Sequence, residues 1–197
     1  MSFSVDASGV MRWDGHEAPC ALGREGVCAA AKKREGDGRT PAGLWPVRAV
    51  WWRPDRSPAP ETALPTRPIT PHDGWCDDPA DPAYNRPVRL PYPSSAERLW
   101  REDGVYDLVV ELGYNDDPVV PGAGSAIFLH LVRPGFLPTE GCVALAEADL
   151  RAFLRDARPG DALRVDAAPR LQDTGSPEAG AGLAPNSAEP TRTDVAP

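Results

Sequence analysis

Twenty-four prolines are spread through this chain of 197 residues, more than twice the usual share of ~5 %. Each one locks φ near −65° and removes a backbone donor, so a helix interior or a central strand must fit between prolines. The pattern therefore predicts short strands joined by loops, a mainly β fold, and excludes a helix bundle. Apolar residues make up 41 % of the chain and include six Trp. That is enough for one hydrophobic core, and the length suits one domain with or without a tail.

Charge and cysteine usage narrow the function classes. The net charge is −8, and the one basic cluster, Lys32-Lys33-Arg34, is followed at once by Glu35 and Asp37. No basic stripe exists to neutralise phosphates, so a nucleic-acid partner is excluded and the cluster reads as a solvated loop. Cys20, Cys28, Cys76 and Cys142 show no C-x-x-C spacing, which removes zinc ribbons and dithiol redox motifs. Cys20 and Cys28 could pair, but scattered cysteines at this density read as small buried hydrophobes. His72, Cys76, Asp77 and Asp78 carry ligand-type side chains at a spacing that fits no metal template, so no metal is expected. The start, Met-Ser-Phe-Ser-Val-Asp, lacks the basic and apolar stretches of a signal peptide, and no run of 18 apolar residues could span a membrane. Read as written, the chain would stay in the cytoplasm; a monomer is expected.

Along the chain, Ser2–Val5 and Val10–Trp13 alternate as strands, and Asp14-Gly15 is a hairpin signal, so the first 22 residues read as an antiparallel meander. Residues 23–43 are rich in Gly and charge and end in Arg-Thr-Pro-Ala-Gly, where regular structure is not expected. Trp45–Trp52 reads as a strand. Residues 53–93 form a long proline-studded excursion around Asp-Gly-Trp-Cys-Asp-Asp (73–78), interpreted as an ordered covering loop. Ser94–Arg101, with a Ser cap and Glu97 three residues on, predicts a short helix. Tyr106–Leu112 and Ala126–Leu131 are near-continuous apolar runs, expected as strands buried on both faces. Glu147–Arg155 places Leu150, Phe153 and Leu154 on one helical face, and Ala162–Val165 reads as a closing strand. Beyond residue 168 the composition has almost nothing to bury, so residues 169–197 are expected to be a disordered tail to a domain of residues 1–168.

Chemistry concentrates at Cys142, in Thr-Glu-Gly-Cys-Val, twelve residues after His130 at the end of Ser-Ala-Ile-Phe-Leu-His. A cysteine after glycine on a turn, facing an imidazole carried by a buried strand, is the minimum equipment for thiol nucleophilic catalysis. The glycine would let backbone N–H groups of Gly141 and Cys142 face a developing oxyanion. The plain alternative is a buried inert Cys and a hydrogen-bonded core His. A helix beginning soon after Cys142 would bring its positive end towards the thiol and lower its pKa.

Read together, these segments resemble the catalytic domain of the L,D-transpeptidases, the YkuD-type cysteine enzymes of the cell wall. The resemblance rests on His130, then Thr139, Gly141, Cys142 and Val143, with Thr40-Pro41-Ala42-Gly43 and Leu44-Trp45-Pro46-Val47 upstream and Gly-Tyr-Asn (113–115) between. It spans residues ~23–166, and departs from the family pattern at Glu140, where a second His is usual, and at Ala144, where a polar residue is usual. A carboxylate at 140 would raise the thiol pKa unless it points away. The resemblance implies a YkuD-like β-sandwich or curved mixed sheet with one or two short helices. It also implies peptidoglycan stem peptides as substrate, and 3→3 cross-linking through an acyl-thioester on Cys142. His130 would serve as general acid and base, with no cofactor. It implies a location in the periplasm or cell envelope, at odds with the start of the chain. Arg133 is a candidate to hold a substrate carboxylate, Tyr114, Asn115 and Thr139 to line the cleft, and Trp75 to act as a lid. Two other readings use the same residues: an L,D-carboxypeptidase or amidase with water as acceptor, and an inactive domain that binds cell-wall peptide.

Overall fold

The computed structural model describes residues 1–168; the expected tail at 169–197 lies outside them. The strands are β1 (Phe3–Asp6), β2 (Val10–Trp13), β3 (His16–Ala21), β4 (Val27–Ala29), β5 (Thr40–Trp52), β6 (Thr66–Pro68) and β7 (Asp73–Cys76). They continue as β8 (Pro87–Arg89), β9 (Ala96–Arg98), β10 (Leu108–Leu112), β11 (Phe128–Leu131), β12 (Val143–Leu145) and β13 (Ala162–Val165). The α-helix α1 (Glu147–Asp156) lies between β12 and β13. The protein is mainly β, as expected.

The large sheet is mixed and runs β10-β11-β12-β3-β2-β1-β13-β5-β4, with β6 on β5 and a further pairing of β10 with β5. That last pairing brings the path back on itself. The long β5 makes it possible: Gly43–Pro46 pair with β13, and the stretch from Val47 to Trp52 pairs with β10. The expected meander is present, as β1, β2 and β3 pair antiparallel in sequence. A separate three-stranded sheet, β8-β7-β9, covers part of the outside.

Two apolar cores follow from strict alternation. Val50, Val110, Leu129 and Val143 stand side by side across β5, β10, β11 and β12 and fill the main core with Leu150, Phe153 and Leu154 of α1. The neighbouring row, Trp51, Val109, His130 and Ala144, points the other way. On that outer side Trp51, Val109 and Phe128 pack with Trp75 of β7 and with Leu99, the residue after β9. The near-continuous apolar runs of β10 and β11 thus serve two cores at once.

Three local expectations are corrected. Residues 40–43 open β5 instead of forming a loop, because Thr40–Ala42 pair in parallel with β4, and Pro41 is placed where its carbonyl accepts the Trp45 indole N–H at 2.9 Å. Gly43 at φ 154 allows this, since a Cβ there would meet the Trp45 ring at 2.4 Å. The helix expected at Ser94–Arg101 is the strand β9, paired with β7. Ser94 binds the Asp78 carboxylate at 2.5 Å instead of capping a helix, and Glu97 accepts from Tyr106 at 2.9 Å, so tertiary pairing outweighs a local cap. Within 53–93, the covering loop carries three short strands, β6, β7 and β8.

Leu129 is fully buried in the main core. Leu129→Ala is expected to lower stability by about 2–5 kcal/mol in chemical denaturation, with an unchanged denaturant slope.

Candidate active site

The register between β11 and β12 builds the site. These strands run parallel, with Leu129 opposite Val143 and His130 opposite Ala144. Cys142, the residue before β12, extends that row to Phe128, whose N–H approaches its sulfur at 3.4 Å. Because side chains alternate, Phe128, His130, Cys142 and Ala144 all leave the same outer face. Cys142 and His130 both line one cavity of about 500 Å³, at the edge of the ground covered by the small sheet.

The hydroxyls of Thr139 and Thr40 fix the turn before Cys142. Thr139 Oγ1 donates to the Cys142 carbonyl at 2.7 Å and accepts from Gly141 N–H at 3.1 Å. Thr40, fully buried, accepts from Gly23 N–H at 2.8 Å and donates to the same Cys142 carbonyl at 3.4 Å. Gly141 sits at φ 140, with space for a Cβ filled by Arg39 O at 2.8 Å, so the turn presses against the start of β5 only as glycine. The Gly141 N–H is therefore engaged, which corrects the expectation that it faces an oxyanion. Among the described residues the Cys142 N–H has no hydrogen-bond partner.

Burial governs the electrostatics. Cys142 and His130 are each 7 % exposed. Burial pushes the thiol up to about 12, with the Phe128 N–H working against the rise. Burial takes the imidazole down to about 4, with the bond to Leu131 opposing and the nearby Arg133 and Arg101 adding to the fall. The expectation that a helix end lowers the thiol pKa is corrected: β12 separates Cys142 from α1, and desolvation dominates. The resting pair is a neutral thiol and a neutral ring. His130 Nδ1 lies 2.8 Å from Leu131 O, and a carbonyl only accepts, so Nδ1 carries the proton and Nε2 is the basic nitrogen. The Cys142 thiol donates to Ala126 O at 3.1 Å, and no hydrogen bond joins it to His130 among the described residues.

The other sequence candidates separate. Arg133 lines the cavity with a half-exposed side chain, 4.0 Å from Asp103. Thr139 lines it too, but its hydroxyl is committed to the Cys142 turn. Trp75 is corrected from lid to core: it is 4 % exposed, meets Phe128 edge-on at 5.0 Å and donates its indole N–H to Asn85. Tyr114 is likewise core, edge-on to Trp45 with its hydroxyl on Ala123 O. Asn115 ties down its own loop through Val120 and Gly124, so neither residue lines the cleft. Glu140, on the exposed side of the same cavity, pairs with Arg24, so a cation faces its carboxylate.

Sequence reasoning missed Tyr106, whose ring meets His130 edge-on at 5.2 Å and whose hydroxyl donates to Glu97. Burial raises the pKa of both Tyr106 and Glu97. It missed Ser125 as well. No local motif marks these residues, since they meet only through sheet packing. Thr40 carried a signal, the Thr-Pro-x-Gly pattern, but not its role.

The family model for the YkuD L,D-transpeptidase catalytic domain matches residues 5–166, and the chain belongs to that family. A solved L,D-transpeptidase from Mycobacterium smegmatis is 15 % identical, with a TM-score of 0.38, over 84 % of this chain and 58 % of that one. This chain thus spans less than two thirds of that protein's length. No curated protein matches it.

The His130 environment predicts a pH dependence. The unfolded ring titrates near 6.5 and the folded one near 4. Between these values the unfolded state binds more protons, so stability falls as pH falls through that window, by on the order of 3 kcal/mol in total. Urea unfolding of wild type and His130→Gln at neutral and acid pH checks this: the variant should lack that share of the acid loss.

Proposed function

We propose that this protein is a peptidoglycan L,D-transpeptidase that forms 3→3 cross-links through a thioester on Cys142. The observation that carries the reading is the placement of Cys142 and His130 on one face of a parallel strand pair, in one cavity, within a chain of the YkuD family. The donor is a stem tetrapeptide ending in D-alanine. Its bound carbonyl takes the thiol away from Ala126 O, and Sγ attacks the carbonyl carbon as His130 Nε2 takes the thiol proton. A neutral resting pair makes proton transfer part of the attack and not a step before it. The Cys142 N–H, free of other partners, donates to the oxyanion; such a donor is worth about 3–4 kcal/mol in other enzymes. His130 then protonates the departing D-alanine amine. The amine of a second stem peptide displaces the sulfur, and the proton returns to it through His130.

Edge contact with Tyr106 and the Leu131 carbonyl hold the ring in the tautomer this sequence needs. Arg133 at the cavity rim is the candidate for the donor carboxylate.

Intact-protein mass spectrometry with a tetrapeptide donor tests the reading. Wild type should gain the acyl mass and lose D-alanine, and Cys142→Ala should gain nothing. An adduct that persists in Cys142→Ala rules the assignment out. Muropeptide dimers are the expected product, and tripeptide alone would make water the acceptor.

A further inference from the structure

The wall of the cavity built by the small sheet carries two carboxylates that the acylation step leaves unused. In the β7–β9 pairing Trp75 stands opposite Glu97, so Asp77, two residues past Trp75, leaves the same face as both. Asp77 and Glu97 line the cavity. Glu97 Oε1 accepts from Tyr106 at 2.9 Å and Arg101 at 3.3 Å, while Oε2 has no partner among the described residues. Asp77 Oδ1 is buried without a hydrogen bond. Ser125, 8 % exposed and lining the same cavity, also has a buried hydroxyl with no hydrogen bond of ordinary geometry, although it lies close enough to Tyr84 to favour that residue's phenolate. It precedes Ala126, whose carbonyl accepts from the Cys142 thiol, and it shares the cavity with that thiol.

The cations of the cavity do not satisfy these atoms. Lys33 Nζ is spent on Asp37 and Arg34 O, and Arg101 gives its Nε and second amino group to Asp103. Arg133 also leans towards Asp103, and Arg98 reaches Pro71 O. The other two acids are engaged, Glu35 with Tyr84 and Glu140 with Arg24. What remains is a set of unfilled acceptors, two of them on carboxylates and one a hydroxyl, in the cavity that also holds the thiol. An ammonium, with three N–H donors spread as a tripod, supplies what they lack.

We propose that Asp77, Glu97 and Ser125 form a subsite for a primary ammonium, the incoming amine of the acyl acceptor. The catalytic meaning rests on the acyl-thioester reading above. Glu97 takes one proton from the bound ammonium. The freed amine forms a C–N bond with the thioester carbonyl carbon and the C–S bond breaks. The amine's second proton passes through His130 to the departing sulfur, and the third stays on the amide.

Modification of the full chain at Cys142 tests the subsite without peptide chemistry. The rates of 2-aminoethyl methanethiosulfonate, which carries an ammonium, and of neutral methyl methanethiosulfonate are compared at mildly alkaline pH, with mass mapping to Cys142. Relative to a free thiol, the cationic reagent should be favoured by about fivefold. Glu97→Gln and Asp77→Asn should each erase most of that ratio, and Ser125→Ala, which removes only a hydroxyl, should reduce it. No preference in wild type, or one that survives the carboxylate variants, overturns the subsite. A charge-dependent preference without any thioester adduct would reject the transpeptidase reading and leave the subsite standing. Where the thioester forms, Glu97→Gln should lower capture by a primary alkylamine about tenfold relative to capture by hydroxylamine, which is uncharged at neutral pH. Equal losses for both nucleophiles would overturn the subsite.

Discussion

The parallel pairing of β11 with β12 is the constraint on which the site depends. It sets Leu129 against Val143 inside the main core and His130 against Ala144 outside it. A slip of one residue would turn His130 or Cys142 into the apolar interior and push Leu129 or Val143 out, so burial of the inner row enforces the register of the outer one. The core residues thereby hold the chemistry in place without touching it. A parallel pair also needs a crossover, and here the chain between Leu131 and Val143 makes it without an α-helix. Thr139 and Thr40 fasten its end by converging on the Cys142 carbonyl.

The same burial sets the chemical character of the pair. Desolvation moves the thiol and the imidazole in opposite directions, away from an ion pair. A neutral thiol is a weaker nucleophile than a thiolate, and this one rests against the Ala126 carbonyl. Formal charge is kept at the rim and on the wall of the small sheet, where Arg101, Asp103, Glu97 and Asp77 gather. The small sheet has two duties: Trp75 and Leu99 close the second core, while Asp77 and Glu97 on the same face give the cavity its polarity.

Legibility in the sequence followed the range of the forces involved. The helix at 147–156, the closing strand at 162–165 and the opening meander were readable because alternation or helical spacing within a few residues decides them. Cys142 and His130 stood out for the same reason, a glycine-flanked thiol and a histidine ending an apolar run. Ser94–Arg101 misled because its capping pattern is local while its actual partner, β7, is some twenty residues away. Trp75 and Tyr114 invited functional roles that packing against Phe128 and Trp45 denies them.

By itself, then, the sequence determined a proline-punctuated β chain, the strands with clear periodicity, the family motif and the two residues at its centre. Only the tertiary structure decided which faces those strands present, that the Gly141 amide is already engaged, that Glu140 pairs with Arg24, and that Asp77, Glu97, Tyr106 and Ser125 share one cavity with the thiol. The physical reason is that periodicity is written between near neighbours. Burial, pKa and the meeting of side chains from β7, β9 and β11 arise only when segments far apart in the chain exclude water together.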